Sequence, residues 1–305
     1  HDLSVVLEAI VKEVEAANPA IVVVDSFRTA LRKRAELTEM EVQFFVQQLA
    51  LQLTSWQATT FLIGEYVEAE VQENPVFTVA DGLIWLSQVT ERNSVVRKLQ
   101  IFKLRGHASV PGLHTFRITE DGLQTFSRTL GLSERKARPI RRPRLSIGVP
   151  EVDKMLGGGI PIGDSVLVAG ASGTGKSVFG SHFITEGLRR GDRGIMAVFE
   201  ERPEDVKRRA KNLGHDLAKA ERQGKLKILY LRPLDLSVDE SLQAILDAVK
   251  EIDAKRLVID SLVGFEMALA PGFRTDFRES LYRMMASVTG AGVTVLNTVE
   301  LDENF

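Results

Sequence analysis

Apolar residues recur along this chain with two periods. Leu3, Val6, Leu7, Ile10, Val11 and Val14 follow helical spacing up to Ala17, and the spacing predicts an amphipathic helix. The run Ile21-Val22-Val23-Val24 then reads as a short strand ending in Asp25-Ser26. The same text returns later: a helical stripe of Leu242, Ile245, Leu246, Val249 and Ile252, the strand-like Arg256-Leu257-Val258-Ile259, and Asp260-Ser261. The two aspartates are 235 residues apart, and Thr60 to Ile63 answers Thr294 to Asn297 at nearly the same offset. Phe44 and Phe45 fall at helical spacing with Leu49, Leu53 and Trp56, and are expected to pack in a core.

A repeat of that size predicts two tandem copies of a domain of roughly 230 residues, each present in part. The expected layout is the C-terminal portion of a first copy over 1–130, a basic, proline-containing linker over 131–144, and the N-terminal portion of a second copy over 145–305. The first copy then lacks its front, and the second lacks the counterpart of 70–130. Incomplete sheets leave unpaired edges and an uncovered apolar face, so neither part is expected to be stable alone. A shortened sequence, a fragment and a permuted single domain all remain open. The linker carries Arg135, Lys136, Arg138, Arg141, Arg142 and Arg144 beside Pro139 and Pro143. It reads as a solvated tether, with phosphate or single-strand binding as the alternative.

In the second portion, Ser165 to Ala169 is strand-like, Gly170 to Gly175 is glycine-rich, and Val178, Phe179, Phe183, Ile184 and Leu188 continue as a helix to Gly191. Strand signals at 195–199 and 227–231 flank a helix opened by Pro203. This alternation predicts an α/β fold with a mainly parallel sheet flanked by helices, and sets the motifs at the carboxyl ends of strands.

The run Gly170-Ala171-Ser172-Gly173-Thr174-Gly175-Lys176-Ser177 is a phosphate-binding loop. Gly170, Ser172, Gly173, Thr174 and Gly175 would cradle a nucleotide's phosphates, Lys176 would reach the β- and γ-phosphates, and Ser177 would ligate Mg²⁺. Asp260, ending its strand, would lie beside the loop if the two strands are neighbours, and would serve the metal. Taken alone, such an aspartate could equally be a helix cap; the phosphate loop favours the metal-side role. Glu200 and Glu201 follow another strand, where one carboxylate can polarise water and the other fix a neighbour. The alternative is a charged helix start. Lys103 and Arg105 end the alternating run Lys98 to Gly106 on one side, either as a phosphoryl clamp or as edge-strand charges. His107 and His114 have no third metal ligand nearby and read as polar loop residues. The glycine-rich stretch from Ser146 to Gly163 reads as turn material near the nucleotide.

Composition narrows this further. Of 305 residues 44% are hydrophobic and 26% charged, with a formal charge of −2, which lacks the basic excess of a dedicated nucleic-acid binder. There is no cysteine, so disulfides and thiolate metal sites are excluded. No apolar run approaches the ~20 residues of a membrane span. His1-Asp2-Leu3 is not the start of a signal peptide and lacks a Met, which predicts a processed, tagged or truncated chain.

Taken together, Gly148-Val149-Pro150, Gly170 to Ser177, Phe199-Glu200-Glu201, Leu257 to Ser261, Val24-Asp25-Ser26 and Phe102-Lys103-Leu104-Arg105-Gly106 resemble the KaiC family of circadian-clock ATPases within the RecA-like superfamily. The resemblance covers almost the whole chain. It implies tandem RecA-like P-loop domains, ATP and Mg²⁺ as ligands, a homo-hexameric ring with ATP between subunits, and slow hydrolysis. Glu200 and Glu201 resemble the pair that activates water, and Lys103 and Arg105 resemble residues reaching an adjacent subunit's γ-phosphate. It further implies a cytoplasmic protein with clock or signalling regulators as partners, and serine/threonine autokinase activity whose acceptor stretch lies outside this chain. Thr78 is the nearest first-copy counterpart of that stretch. A RecA-like DNA-binding ATPase and an ATP-dependent scaffold with little turnover are the other readings.

Overall fold

The apolar stripe near the N-terminus forms helix α1 (Leu3–Ala17), and the run after it forms strand β1 (Ile21–Asp25). The computed structural model describes residues 3–26, 28, 39–55, 58–71, 74–91, 94–127, 142–231, 237–267 and 277–301. The chain divides into two compact units, His1–Trp85 with Ile101–Ser109, and Leu86–Gln100 with Val110–Phe305.

In the first unit, α1 and β1 are followed by α2 (Glu39–Ser55), β2 (Thr59–Ile63) and the short α3 (Pro75–Val79). Asn74 caps α3 by accepting from the Val76 amide at 3.1 Å. β1 and β2 pair in parallel, Ile21 opposite Thr59. One face of this pair packs Val24 and Leu62 against Leu7, Phe45, Val46, Leu49 and Val76. The opposite face leaves Ile21 62%, Val23 56%, Phe61 48% and Ile63 47% exposed. Phe44 is 63% exposed, against the expectation of core packing, because its neighbour Phe45 takes the inward side of α2. Trp56 lies outside the described residues.

Strands β3 (Gly82–Glu91) and β4 (Ser94–Leu104) run across the division between units. In the second unit β4 pairs antiparallel with β5 (His114–Thr119), and β5 with β6 (Gly122–Phe126). His114 is therefore a buried strand residue rather than a loop one, its Nε2 bonded to the Val110 carbonyl at 3.1 Å. The short strands β7 (Arg144–Leu145) and β8 (Ile160–Pro161) pair around helix α4 (Pro150–Met155), so the glycine-rich entrance is a closed ribbon.

The main sheet comprises β9 (Ser165–Gly170), β10 (Gly194–Val198), β11 (Leu226–Tyr230), β12 (Arg256–Asp260) and β13 (Thr294–Glu300), all parallel, in the order β11-β10-β12-β13-β9. Helices α5 (Lys176–Arg190), α6 (Pro203–Asn212) and α7 (Leu217–Arg222) pack on one face, where Met196, Val198, Val258 and Leu296 meet Phe183, Ile184, Val206 and Leu217. Helices α8 (Val238–Ile252), α9 (Leu262–Met267) and α10 (Phe277–Gly290) cover the other, with Ile195, Leu257, Ile259 and Val295 against Leu242, Ile245, Phe265 and Met284. Alternate residues of one strand thus enter opposite cores, which explains the unbroken apolar runs. The expected uncovered face is confined in this sheet to the edge strand β9, where Ser165, Leu167 and Ala169 are exposed on one side, Leu167 at 56%.

Several element bounds of 3–63 and 238–298 correspond at one offset. Leu3 answers Val238, Ala17 answers Ile252, Ile21 answers Arg256, Ser55 answers Gly290 and Thr59 answers Thr294, a constant shift of 235 residues. The strand pairing obeys the same shift, Arg256 facing Thr294 as Ile21 faces Thr59. Thr59, not Thr60, is the counterpart of Thr294, which corrects the sequence alignment by one position.

Candidate functional site

Strand β9 delivers the chain into the loop from Gly170, and Gly173 and Gly175 turn it at φ values of +77° and +94°. Those values favour glycine, and nothing lies within 4 Å of a Cβ built at either residue. Gly175 is the N-cap of α5 and supplies no side-chain cap, so the first amides of a fifteen-residue helix face outward. Lys176 folds along the loop, its Nζ donating to the carbonyls of Gly170 (2.9 Å) and Ala171 (2.7 Å). The Thr174 hydroxyl donates to the Ala171 carbonyl at 2.8 Å. Ser172, Gly173, Thr174 and Gly175 are exposed, while Lys176 and Ser177 are half-buried. A glycine-rich loop with uncapped helix amides and one ammonium fits a polyphosphate chain.

Asp260 ends β12, but β12 does not neighbour β9, because β13 is inserted between them. The condition of neighbouring strands is not met: α5 crosses over the sheet and makes the connection. Gly180 of α5 lies against Val258, where an added Cβ would come within 2.9 Å of Val258 Cγ1. From that contact Ser177 is about one helical turn nearer the carboxyl edge and Asp260 two residues along the strand, on the same face as Val258. Asp260 is half-buried, and its Oδ1 accepts from the Thr298 hydroxyl at 2.5 Å.

Glu200 and Glu201 follow β10. The Phe199 amide donates to the Asp260 carbonyl at 3.3 Å, which holds this turn beside the end of β12. Glu200 is exposed and its Oε1 accepts from the Ser261 hydroxyl at 3.3 Å. Glu201 is instead ion-paired with Arg209 on α6. The two carboxylates have different partners, as adjacent residues facing different ways should. Arg209, Ser261 and Thr298 were not singled out in sequence; of these only Ser261 belonged to a motif read there.

Lys103 and Arg105 belong to the first unit. Lys103 Nζ donates to the carbonyls of Phe77 (3.3 Å) and Thr78 (3.1 Å), and Arg105 donates to the Thr78 carbonyl (3.3 Å) and to Asp81 Oδ1 (3.0 Å). The two cations thus converge on one segment, 77–81. Asp25 ends β1 opposite Ile63.

No helix among the described residues is long and apolar enough to cross a membrane. The family model described as ATPase: KaiC matches residues 1–129 and 145–304. The chain is similar to circadian clock oscillator proteins KaiC: 33% identical over 301 residues to that of Picosynechococcus sp., 32% over 298 residues to that of Rippkaea orientalis, and 29% over 302 residues to that of Synechococcus elongatus. Each match covers 95% of this chain and 56% of the relative. The chain spans about half the length of the curated relatives it matches. With most of its residues inside the family model and its glycine loop, paired carboxylates and strand-end aspartate on one sheet edge, the chain belongs to the KaiC family of ATPases.

Proposed function

We propose that this chain binds ATP with Mg²⁺ at the loop Gly170–Ser177 and hydrolyses it slowly, as part of a tandem RecA-like ring ATPase acting in signalling or circadian timing. The observation that carries this reading is the convergence, on one carboxyl edge, of the uncapped start of α5, the half-buried Lys176 and Ser177, Asp260, and an exposed glutamate. Backbone amides from Gly173 to Ser177 and the Lys176 ammonium would hold the β- and γ-phosphates. Ser177 and Asp260 would hold Mg²⁺, which neutralises charge on the phosphate oxygens. Glu200, free of any cationic partner among the described residues, would polarise the attacking water, while Glu201, held by Arg209, would fix the turn that carries it.

The constant shift of 235 residues supports two copies of one domain. In a cytoplasmic hexamer, as the family resemblance implies, Lys103 and Arg105 would serve a neighbouring subunit's phosphates. Serine/threonine autokinase activity and clock or signalling partners remain family expectations. The test is light scattering with ATP turnover on this chain. An ATP-dependent particle of about six chain masses, with turnover lowered about 100-fold by Glu200→Gln and binding retained, supports the reading. A nucleotide-blind monomer without turnover would remove it.

A further inference from the structure

Resting on the reading above, that Asp260 serves the metal side of a nucleotide site, we infer that Thr298 is the residue that positions the Asp260 carboxylate, and that this device exists only in the second copy of the repeat. Thr298 lies on β13 and is fully buried. Its hydroxyl has one proton to donate, and it donates it to Asp260 Oδ1 at 2.5 Å. Among the described residues none donates to Oδ2, so the carboxylate is held through one oxygen and leaves the other available. Val258 and Asp260 project from the same face of β12, and Leu296 and Thr298 from the same face of β13. Val258 and Leu296 both belong to the core under α5, so the hydroxyl and the carboxylate meet on the side of the phosphate-loop helix.

Strand pairing does not demand this hydroxyl. At the constant shift, the counterpart of Thr298 is Ile63, which sits beside Asp25 in the same parallel register without an oxygen to offer. A buried hydroxyl commonly finds a backbone carbonyl, whereas here it selects the one carboxylate at the strand end. Removing the donor would let the carboxylate turn about its side-chain bonds and would lower its affinity for a cation, as loss of an orienting partner does at metal sites, by about tenfold.

The test uses this chain with Mn²⁺ as the probe, read by its electron paramagnetic resonance, and a fluorescent ATP analogue. Thr298→Val should weaken Mn²⁺ binding in the presence of nucleotide about tenfold. It should leave nucleotide binding in excess chelator within about twofold of the parent, while the lost hydrogen bond to the carboxylate lowers the melting temperature in chelator without abolishing cooperative unfolding. Thr298→Ser should recover Mn²⁺ affinity. Equal Mn²⁺ affinity in the parent and Thr298→Val, or failure of Thr298→Ser to recover a loss, overturns the inference while sparing the nucleotide site. No Mn²⁺ binding in the parent overturns the inference and the reading beneath it together.

Discussion

The stretches 3–63 and 238–298 build the same helix, strand, helix and strand, with the same parallel register and the same Asp-Ser ending. Both Asp-Ser bonds are cis. Yet β12 lies between β10 and β13 and has its first four residues buried, while β1 has one partner among the described residues and leaves alternate residues in water. Local sequence sets the element and its period. Neighbours decide whether a strand is a core, and what the acid at its end can bond to. Asp260 has α5 above it and Thr298 beside it; Asp25 has Ile63.

The sharpest way to break this comparison is at the chemistry. Lys176→Ala should weaken binding of a fluorescent ATP analogue by about 100-fold, the scale of a lost charge-assisted contact. Asp25→Asn should leave binding to the monomeric chain unchanged in the same titration. Loss of binding in the Asp25 variant would mean that the stretch 3–63 contributes to nucleotide binding.

Packing gives the next effect. Phe61 and Leu296 occupy equivalent positions, one 48% exposed and one fully buried. Leu296→Ala should cost about 3 kcal/mol in urea unfolding followed by circular dichroism, and Phe61→Ala less than about 1 kcal/mol. Equal losses would show that the open face of β1 and β2 is covered in solution.

A smaller effect belongs to α5, which has no counterpart in the first stretch. Hydrogen bonding by Arg189, aided by Arg190, holds the Glu186 carboxyl down to about 2 against its burial. A carboxyl lowered in this way adds stability above its unfolded value of 4.5 and loses it as pH falls from there towards 2. Both arginines are largely exposed, so solvent limits the contribution to about 1 kcal/mol. Glu186→Gln should therefore melt earlier at pH 7, and the gap should narrow between pH 4.5 and 3. The smallest expected effect is at His215, whose basicity is lowered by burial and by His182, the rings meeting edge to face at 4.8 Å. The unfolded chain takes up that proton first, so acidification below pH 6.5 should erode stability, and His215→Gln should flatten the slope.

Much of this site was legible beforehand because it is local. The spacing of Gly170, Gly173, Gly175, Lys176 and Ser177 fixes a loop and a helix start within eight residues. What failed was the part that depends on strand order. Nothing in the run Leu257 to Asp260 says that β13 will insert between it and β9, so the bridge through α5 was invisible. Arg209 meets Glu201 only because α6 turns twice before returning it, and Thr298 meets Asp260 across 38 residues. Phe44 and Phe45 carry equal hydrophobicity, and only the packing of α2 separates them.

Gly180, seated against Val258, has a consequence for engineering. Alanine is the better helix former by roughly 1 kcal/mol, so Gly180→Ala is the change a stabilisation screen would choose on propensity alone. Its methyl would have to fit within 2.9 Å of a valine carbon in the sheet, and the helix would ride outward to make room. Lys176 and Ser177 travel with the helix, whereas Asp260 stays with the strand. One hydrogen atom in place of a methyl thus sets the spacing between the helix start that carries Lys176 and Ser177 and the strand end that carries Asp260, and makes this a position where a better helix would fit the sheet less well.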